Sequence, residues 1–299
     1  MSLRARSFVL LALLVGVLAV VAAGCGDDDN GGGGSAGGGG GGKKTYKIGV
    51  SNTLVGNGWR EEMICSVKAQ ALASGQVDEV LVHNVNGDAS AQIAGIRQLI
   101  SSGANAIIAN PADREALNPV IKEAEARGIK FVAVDQAVTA PEAYVVTNDQ
   151  VAYGRLGAEY LAKALNGKGN IVEMRGISGV PADDDRHKGF MEVIDQNPGM
   201  KVVKETFTDW SFAPAGKQAN DILNSNLKVD GIWTSGIDYV VVDALKKAGQ
   251  DDVPVIGADN NKFLGQLIDG APGAAVTTGS AVLVGRGAGP DGRAGSGRP

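Results

Sequence analysis

The residues of this 299-residue chain best able to do chemistry sit in short polar breaks after apolar runs. The first break is Asn57-Gly58-Trp59-Arg60. It follows Lys47-Ile48-Gly49-Val50-Ser51 and an Asn/Gly-rich loop, and it precedes Glu61-Glu62-Met63. Trp59 offers an aromatic face, Arg60 a fixed charge on a planar fork of donors, and Asn57 an amide. Such a set grips a small polyhydroxylated molecule. The ring packs on C–H surfaces while the fork and the amide bond hydroxyls. A surface Trp beside a helix-capping Asn is the plainer reading of the same residues, and four residues alone do not separate the two.

Similar breaks recur down the chain. Asp135-Gln136 follows Phe131-Val132-Ala133-Val134, and Asp259-Asn260 follows Val255-Ile256-Gly257-Ala258. Asp238 lies just past Ile232-Trp233-Thr234. Arg186 opens a helical segment after Gly179-Val180-Pro181, and Trp210 follows the run ending near Phe207. A single Asp in such a place is ordinarily a helix cap. Several, joined by Arg and Trp, fit the carboxyl-terminal edge of a parallel sheet, where open α/β folds bind ligands.

The elements that must position these residues alternate. From Lys47 to Asp135, strand-like runs at 48–51, 80–84, 106–110 and 130–135 are separated by helical patterns at 59–74, 90–101 and from Pro111 to Arg127, and another strand follows at 143–147. The rhythm then restarts, with helices at 151–165, 184–196, 214–224 and 240–248 and strands at 170–175, 200–207, 231–235 and 255–259. Strands separated by helices of 10–15 residues imply βαβ units and parallel sheets. Two consecutive sets, joined near Asn148-Asp149, imply two lobes of like architecture.

Before the first strand stand Arg4, Arg6 and the apolar run Phe8 to Ala23, then Ala22-Ala23-Gly24-Cys25. Such a run is short for a membrane span, which needs about 20 residues, and reads as a secretory signal. Small residues directly before Cys resemble the lipobox of bacterial lipoproteins, with Ala22 standing where that pattern usually has Leu. Lipidation of Cys25 is expected. The acidic, Gly-rich stretch from Gly26 to Gly42 has little to bury and reads as a flexible leash with an end-to-end distance of roughly 25 Å.

Composition narrows the function further. The net charge is −5, from 28 basic and 33 acidic residues, with no basic block, so no nucleic-acid partner is expected. Cys65 falls in the apolar pattern of the first helix and is expected to be a buried, inert thiol. His83 and His187 have no partner at ligand spacing, so no metal is expected, and no cofactor. Catalysis is not expected either: no Gly-x-Gly-x-x-Gly follows the first strand, and neither a phosphate loop nor a nucleophile triad is evident.

From about Tyr46 to Val276 the chain resembles the ribose/galactose-type periplasmic sugar-binding proteins of ABC importers. The residues carrying the resemblance are Asn57-Gly58-Trp59-Arg60, Ala109-Asn110-Pro111, Ala133-Val134-Asp135-Gln136, Arg186-His187-Lys188-Gly189-Phe190 and Ile256-Gly257-Ala258-Asp259. The resemblance implies an α/β fold of two Rossmann-like lobes with parallel sheets, joined by a crossing-strand hinge, with a sugar closed between them. It places Asn57, Trp59 and Arg60 at a sugar-contacting loop, in a form closer to furanose binders. It also assigns Asp135, Gln136, Arg186, Trp210, Asp238 and Asp259 to the ligand site. Gln136 replaces the family's usual Arg. Ile237 departs from the family's Asn-Asp, and Gly279 from a polar contact residue.

The expected organisation is a signal peptide at 1–24, a lipidated Cys and linker at 25–45, lobes at 46–148 and 149–276, and a disordered tail at 277–299. The Gly/Ala/Arg/Pro-rich tail lacks the family's final helix and strand and reads as a truncated or shifted reading frame. The second lobe is then expected to lack an edge strand. The expected partners are a monosaccharide, an ABC permease and a membrane reached through the lipid, with the protein a monomer. A sugar sensor is the alternative. A sugar-responsive repressor would begin with a helix-turn-helix, which this chain does not.

Overall fold

The computed structural model describes residues 45–258 and 260–276, all within one unit spanning 43–299. The stretches expected to be signal, linker with Cys25 and tail, and also Asp259, lie outside the described residues.

The first lobe runs β1 (Tyr46–Asn52), α1 (Gly58–Ser74), β2 (Val77–Asn84), α2 (Ala89–Ser101), β3 (Ala106–Ala109), α3 (Asn118–Ala126), β4 (Lys130–Val134) and β5 (Ala143–Val146). The second runs α4 (Gln150–Ala164), β6 (Lys168–Arg175), α5 (Pro181–Gln196), β7 (Gly199–Phe207), α6 (Phe212–Leu223), β8 (Gly231–Thr234), α7 (Asp238–Lys247), β9 (Val255–Ala258), α8 (Asn261–Ile268) and β10 (Gly273–Val276). Each lobe holds a five-stranded sheet, ordered β2-β1-β3-β4-β5 and β10-β9-β8-β6-β7, and every pairing is parallel.

The chain reverses its direction of sheet growth between β1 and β3, and again between β6 and β8. Loops leaving the strands at such reversals flank the crevice of an open α/β sheet. The described link between the lobes is the short stretch from β5 to α4, where Asp149 caps α4 by accepting from Ala152 N at 2.8 Å. A second crossing, expected near Gly279, lies outside the described residues.

Central strands β3 and β8 are buried along their length, as continuous apolar runs with helices on both faces should be. Each sheet therefore has two cores. One side of the first packs Ile48, Val50, Met63 and Val67; the other packs Ile96, Leu99, Ile107 and Ile121. In the second lobe Trp233 anchors one side, with Phe190 at 5.2 Å and Tyr153 edge-on at 6.3 Å between ring centroids. Helices α4 and α5 meet backbone to backbone. A Cβ on Gly189 would stand 1.9 Å from the Val151 carbonyl, and one on Gly154 would stand 1.8 Å from the Arg186 carbonyl. That close approach explains why Gly stands three residues after Arg186.

Three expectations are corrected. Helix α3 starts at Asn118, not at Pro111, because Asp113 Oδ1 accepts from Glu115 N at 2.8 Å and Ala116 N at 2.6 Å and folds the segment into a turn. Helix α8 and strand β10 were not anticipated. Asn260 caps α8 by accepting from Phe263 N at 2.9 Å, and β10 gives the second sheet an edge beside β9. Cys65 is exposed. The buried stripe of α1 runs through Met63, Ile64, Val67 and Ala71, and position 65 lies about 100° round the helix from Ile64.

Candidate ligand site

A cavity of about 440 Å³ opens where the carboxyl ends of the two sheets face each other. Six of the residues singled out in the sequence line it: Asn57, Trp59, Arg60, Asp135, Arg186 and Trp210. Gln136 and Asp238 do not line it, and Asp259 lies outside the described residues.

Asn57 has two tasks. Its Oδ1 caps α1 by accepting from Arg60 N at 3.1 Å, and its Nδ2 donates across to the Trp210 carbonyl in the other lobe at 3.1 Å. The capping and binding readings of this residue therefore do not exclude each other. Trp59 packs its ring on the first-lobe core while bordering the cavity. Arg60 is buried; its Nη1 donates to Asn52 Oδ1 at 3.0 Å. Burial lowers its pKa to about 10, Asp135 opposes that fall, and Arg186 adds to it. Behind it, Gln136 Nε2 donates to Asn110 Oδ1 at 2.6 Å.

Asp135 sits at φ +64°, in a three-residue turn closed by Gln136 N donating to the Val134 carbonyl at 2.7 Å. Asp tolerates this left-handed region better than most residues. The turn lifts the carboxylate off the strand end. Asn110 Nδ2 reaches its Oδ2 at 3.3 Å, and Gln150 Nε2 reaches its Oδ1 at 3.1 Å from the second lobe.

Arg186, from the first turns of α5, donates Nε to Gln150 Oε1 at 2.8 Å and Nη1 to the Ser235 carbonyl at 3.0 Å. Its guanidinium lies over the Tyr153 ring at 4.4 Å and near the Trp210 ring at 5.8 Å. Trp210 is itself wedged. Its Nε1 donates to Ser235 Oγ at 3.2 Å, and a Cβ at Gly176 would stand 2.0 Å from its ring. Neither Arg60 nor Arg186 makes a salt bridge to a carboxylate among the described residues. Two buried guanidinium forks and one carboxylate, flanked by two Trp rings, thus meet in one small volume.

Asp238 does something else. It is fully buried, and its oxygens accept from Thr234 Oγ1, from Gly236 N and Ala258 N at 3.1 Å each, and from Asn260 Nδ2 at 2.6 Å. It ties the loop after β8 to the loop after β9. Burial pushes its pKa up to about 6 against the pull of those donors.

The lobes also touch beside the cavity. Arg114 Nη2 pairs with Asp185 at 2.8 Å and donates to the Pro181 carbonyl at 3.4 Å, while Leu54 packs against Val180, Ala182 and Trp210. Away from the cavity, Glu173, His187 and Glu205 place ligand-type atoms within 4.8 Å of one another, a grouping that spacing along the chain did not reveal. Its charges are already engaged. His187 Nδ1 lies 2.8 Å from Glu173, and Arg175 Nη1 lies 3.0 Å from Glu205. Burial raises the Glu173 pKa to about 7, with the His187 bond opposing it.

Of the positioning residues, Asn52, Gln150, Tyr153 and Ser235 were given no part in the site by the sequence reading, and Asn110 entered it only within the motif Ala109-Asn110-Pro111, without a role. Asn52, Asn110, Gln150 and Ser235 stand next to strand ends or a helix start, which is the signal that could have found them.

Two parallel α/β lobes with a polar, aromatic-flanked cavity between their carboxyl edges define a two-lobed solute-binding protein. The chain belongs to the periplasmic binding protein domain family, whose model matches residues 48–281. It is 33% identical over 185 residues to the xylitol-binding protein of Mycolicibacterium smegmatis, covering 60% of this chain and 53% of that one. It is 34% identical over 201 residues to the D-apiose import binding protein of Paraburkholderia graminis, covering 66% and 64%. A solved solute-binding protein of an ABC transporter from Mycobacterium smegmatis, with bound glycerol, superposes with a TM-score of 0.74 at 26% identity, covering 81% and 85%. The chain thus spans between about half and two thirds of the length of those two curated relatives.

Proposed function

We propose that this protein captures a monosaccharide, or the related polyol, between its lobes and presents it to an ABC permease. The observation that carries the reading is that Asp135 from one lobe and Arg186 from the other, both bonded to Gln150, line the same cavity as Trp59 and Trp210. Carboxylate and guanidinium together bond vicinal hydroxyls by charge-assisted hydrogen bonds, and the rings cover C–H faces. The cavity volume lies in the range of about 300–1,000 Å³ common for small-molecule sites. The names of the relatives, binders of xylitol and of D-apiose, support a small polyhydroxylated ligand and an importer over a sensor. Lobes at 46–148 and 149–276 would close on it as rigid bodies.

Retention at the membrane would come from a lipid on Cys25. Mass spectrometry of the membrane fraction should find a diacylated Cys25 as the mature N-terminus; a free protein with another N-terminus removes that part of the reading. The ligand claim is tested by thermal melting against pentoses, hexoses and their polyols. A ligand at 100 times its Kd adds about 2.7 kcal/mol, which is several degrees at this size. No shift from any sugar or polyol at millimolar concentration overturns the proposal.

A further inference from the structure

Asp135 and Arg186 carry opposite charges, are both buried and line one cavity, yet no ion pair joins them among the described residues. Buried charges of opposite sign ordinarily pair, because their attraction is strong where water does not compete for them. Something holds this pair open. Gln150 stands between the two. Its Oε1 accepts from Arg186 Nε at 2.8 Å, and its Nε2 donates to Asp135 Oδ1 at 3.1 Å.

The position of Gln150 is fixed by the chain around it. It is the first residue of α4, directly after the capping Asp149, on the stretch that links the lobes. That stretch wraps the turn carrying Asp135. The Val146 carbonyl accepts from Asp135 N at 2.9 Å, Thr147 Oγ1 donates to the Asp135 carbonyl, and Gln150 Nε2 donates to the same carbonyl at 3.0 Å. Asn148 Oδ1 accepts from that nitrogen too, at 2.9 Å. With acceptors around Nε2 and a guanidinium at Oε1, the neighbours dictate which way the amide faces.

A neutral amide suits this place. It offers a donor to the carboxylate and an acceptor to the guanidinium, so each buried charge is hydrogen-bonded without being cancelled. Each also keeps bonding capacity in reserve. The Asp135 oxygens accept one side-chain amide apiece, from Gln150 and Asn110, where a carboxylate can accept roughly four bonds. Arg186 spends Nε on Gln150 and Nη1 on the Ser235 carbonyl, and its Nη2 donates to no residue among those described. A direct ion pair would consume this reserve, and a ligand hydroxyl would have to break it.

Resting on the reading of this cavity as a sugar site, we infer that Gln150 is a positioning residue for ligand capture. Its amide is a spacer that keeps Asp135 and Arg186 out of a direct ion pair and leaves both open to a hydroxylated ligand.

The test uses the full chain in detergent and the variant Q150M, which keeps the side-chain length and removes the amide. Denaturant melts without ligand are measured for D135N, R186Q and the double variant, in the wild-type and in the Q150M background. Freed of the spacer, Asp135 and Arg186 should pair, so their coupling in this double-mutant cycle should be at least roughly twice that in the wild type. Q150M should also bind the sugar or polyol that most raises the wild-type melting temperature at least about tenfold more weakly, because the ligand must break the new pair. Where Q150M does not fold, Q150A takes its place in both measurements. A coupling no larger than in the wild type makes Gln150 an ordinary structural amide and overturns the inference. So does a larger coupling with unchanged affinity, and so does failure of both variants to fold. In each of these cases a wild-type chain that binds a sugar leaves the sugar reading standing. If no sugar or polyol shifts the wild-type melt, the sugar reading falls and the inference falls with it.

Discussion

Asp135 and Asp238 each follow a buried strand of a parallel sheet, Asp135 directly after β4 and Asp238 four residues after the end of β8, yet the structure uses them differently. Asp135 is turned out by a left-handed residue and borders the cavity, with its carboxylate held by two amides, Asn110 and Gln150. Asp238 is turned in, and two backbone N–H groups, a hydroxyl and an amide enclose it. Its neighbour Ile237 takes the left-handed conformation instead. One acid is therefore available to a ligand, while the other is a clamp between loops. A strand-end Asp is thus a position and not a role; the residue that takes the positive φ decides which way the carboxylate points.

The comparison makes its strongest demand at Asp238. Replacing it by Ala leaves Gly236 N, Ala258 N and Asn260 without their acceptor in a closed interior. The expected loss is about 3 kcal/mol or more of stability. Denaturant melts check this. A D238A protein with wild-type stability but no ligand binding would give both acids the same job and dissolve the contrast.

At Asp135 the expectation is reversed. D135A should weaken sugar binding by about 2–4 kcal/mol, because it removes a charge-assisted partner from the cleft. Its melting temperature without ligand should fall less than that of D238A, since Asn110 and Gln150 keep other partners. Loss of folding in place of loss of affinity would make Asp135 a second clamp.

Acidity sharpens the contrast at buried carboxylates. Glu173 and Asp238 have folded-state pKa values raised to about 7 and about 6. Between the unfolded values, near 4, and these, the folded protein holds more protons than the unfolded chain. Stability contributed by these groups is therefore full at low pH and lost as pH rises through about 6 to 7. Glu173 contributes on the order of 3 kcal/mol across that range. E173Q should flatten the upper part of the curve measured by urea melts from pH 4 to pH 8. An unchanged slope would mean that Glu173 keeps its proton balance on unfolding.

The smallest effect is expected at the inter-lobe pair. Arg114 and Asp185 are about one-third exposed. Their pair is worth no more than about 1 kcal/mol, screened further by salt. D185A should lower ligand affinity severalfold at low ionic strength and hardly at all in high salt. A larger, salt-independent loss would place Asp185 among the groups that shape the cavity.

Most of the fold was legible because the buried strands are unmistakable. Ala106–Ala109, Phe131–Val134 and Gly231–Thr234 are continuous apolar runs between helical patterns. The boundary error at α3 came from Asp113, whose side chain competes with the helix for backbone N–H groups. Helix α8 was missed because Gly265 and Gly270 mask an apolar spacing at Phe263, Leu264, Leu267 and Ile268. Cys65 was misplaced because a stripe read one residue too wide includes it. At the site, residue types marked Asn57, Arg60 and Arg186, since polar and cationic groups in the breaks that follow apolar runs are conspicuous. The division of labour between Asp135 and Asp238 was not readable. It depends on backbone torsions at Asp135 and Ile237, which no periodicity encodes. The roles of Asn52, Asn110 and Gln150 were hidden because an amide at a strand end or helix start looks like an ordinary turn or capping residue.

The central claim is that a sugar lies between Asp135 and Arg186. Calorimetric titration tests it most directly, using the sugar or polyol that most raises the melting temperature, against wild type, D135A and R186A. The account expects one ligand per chain in the wild type and a loss of affinity of at least tenfold in each variant, with both variants still folded. Undiminished affinity in both would contradict it and place the ligand elsewhere.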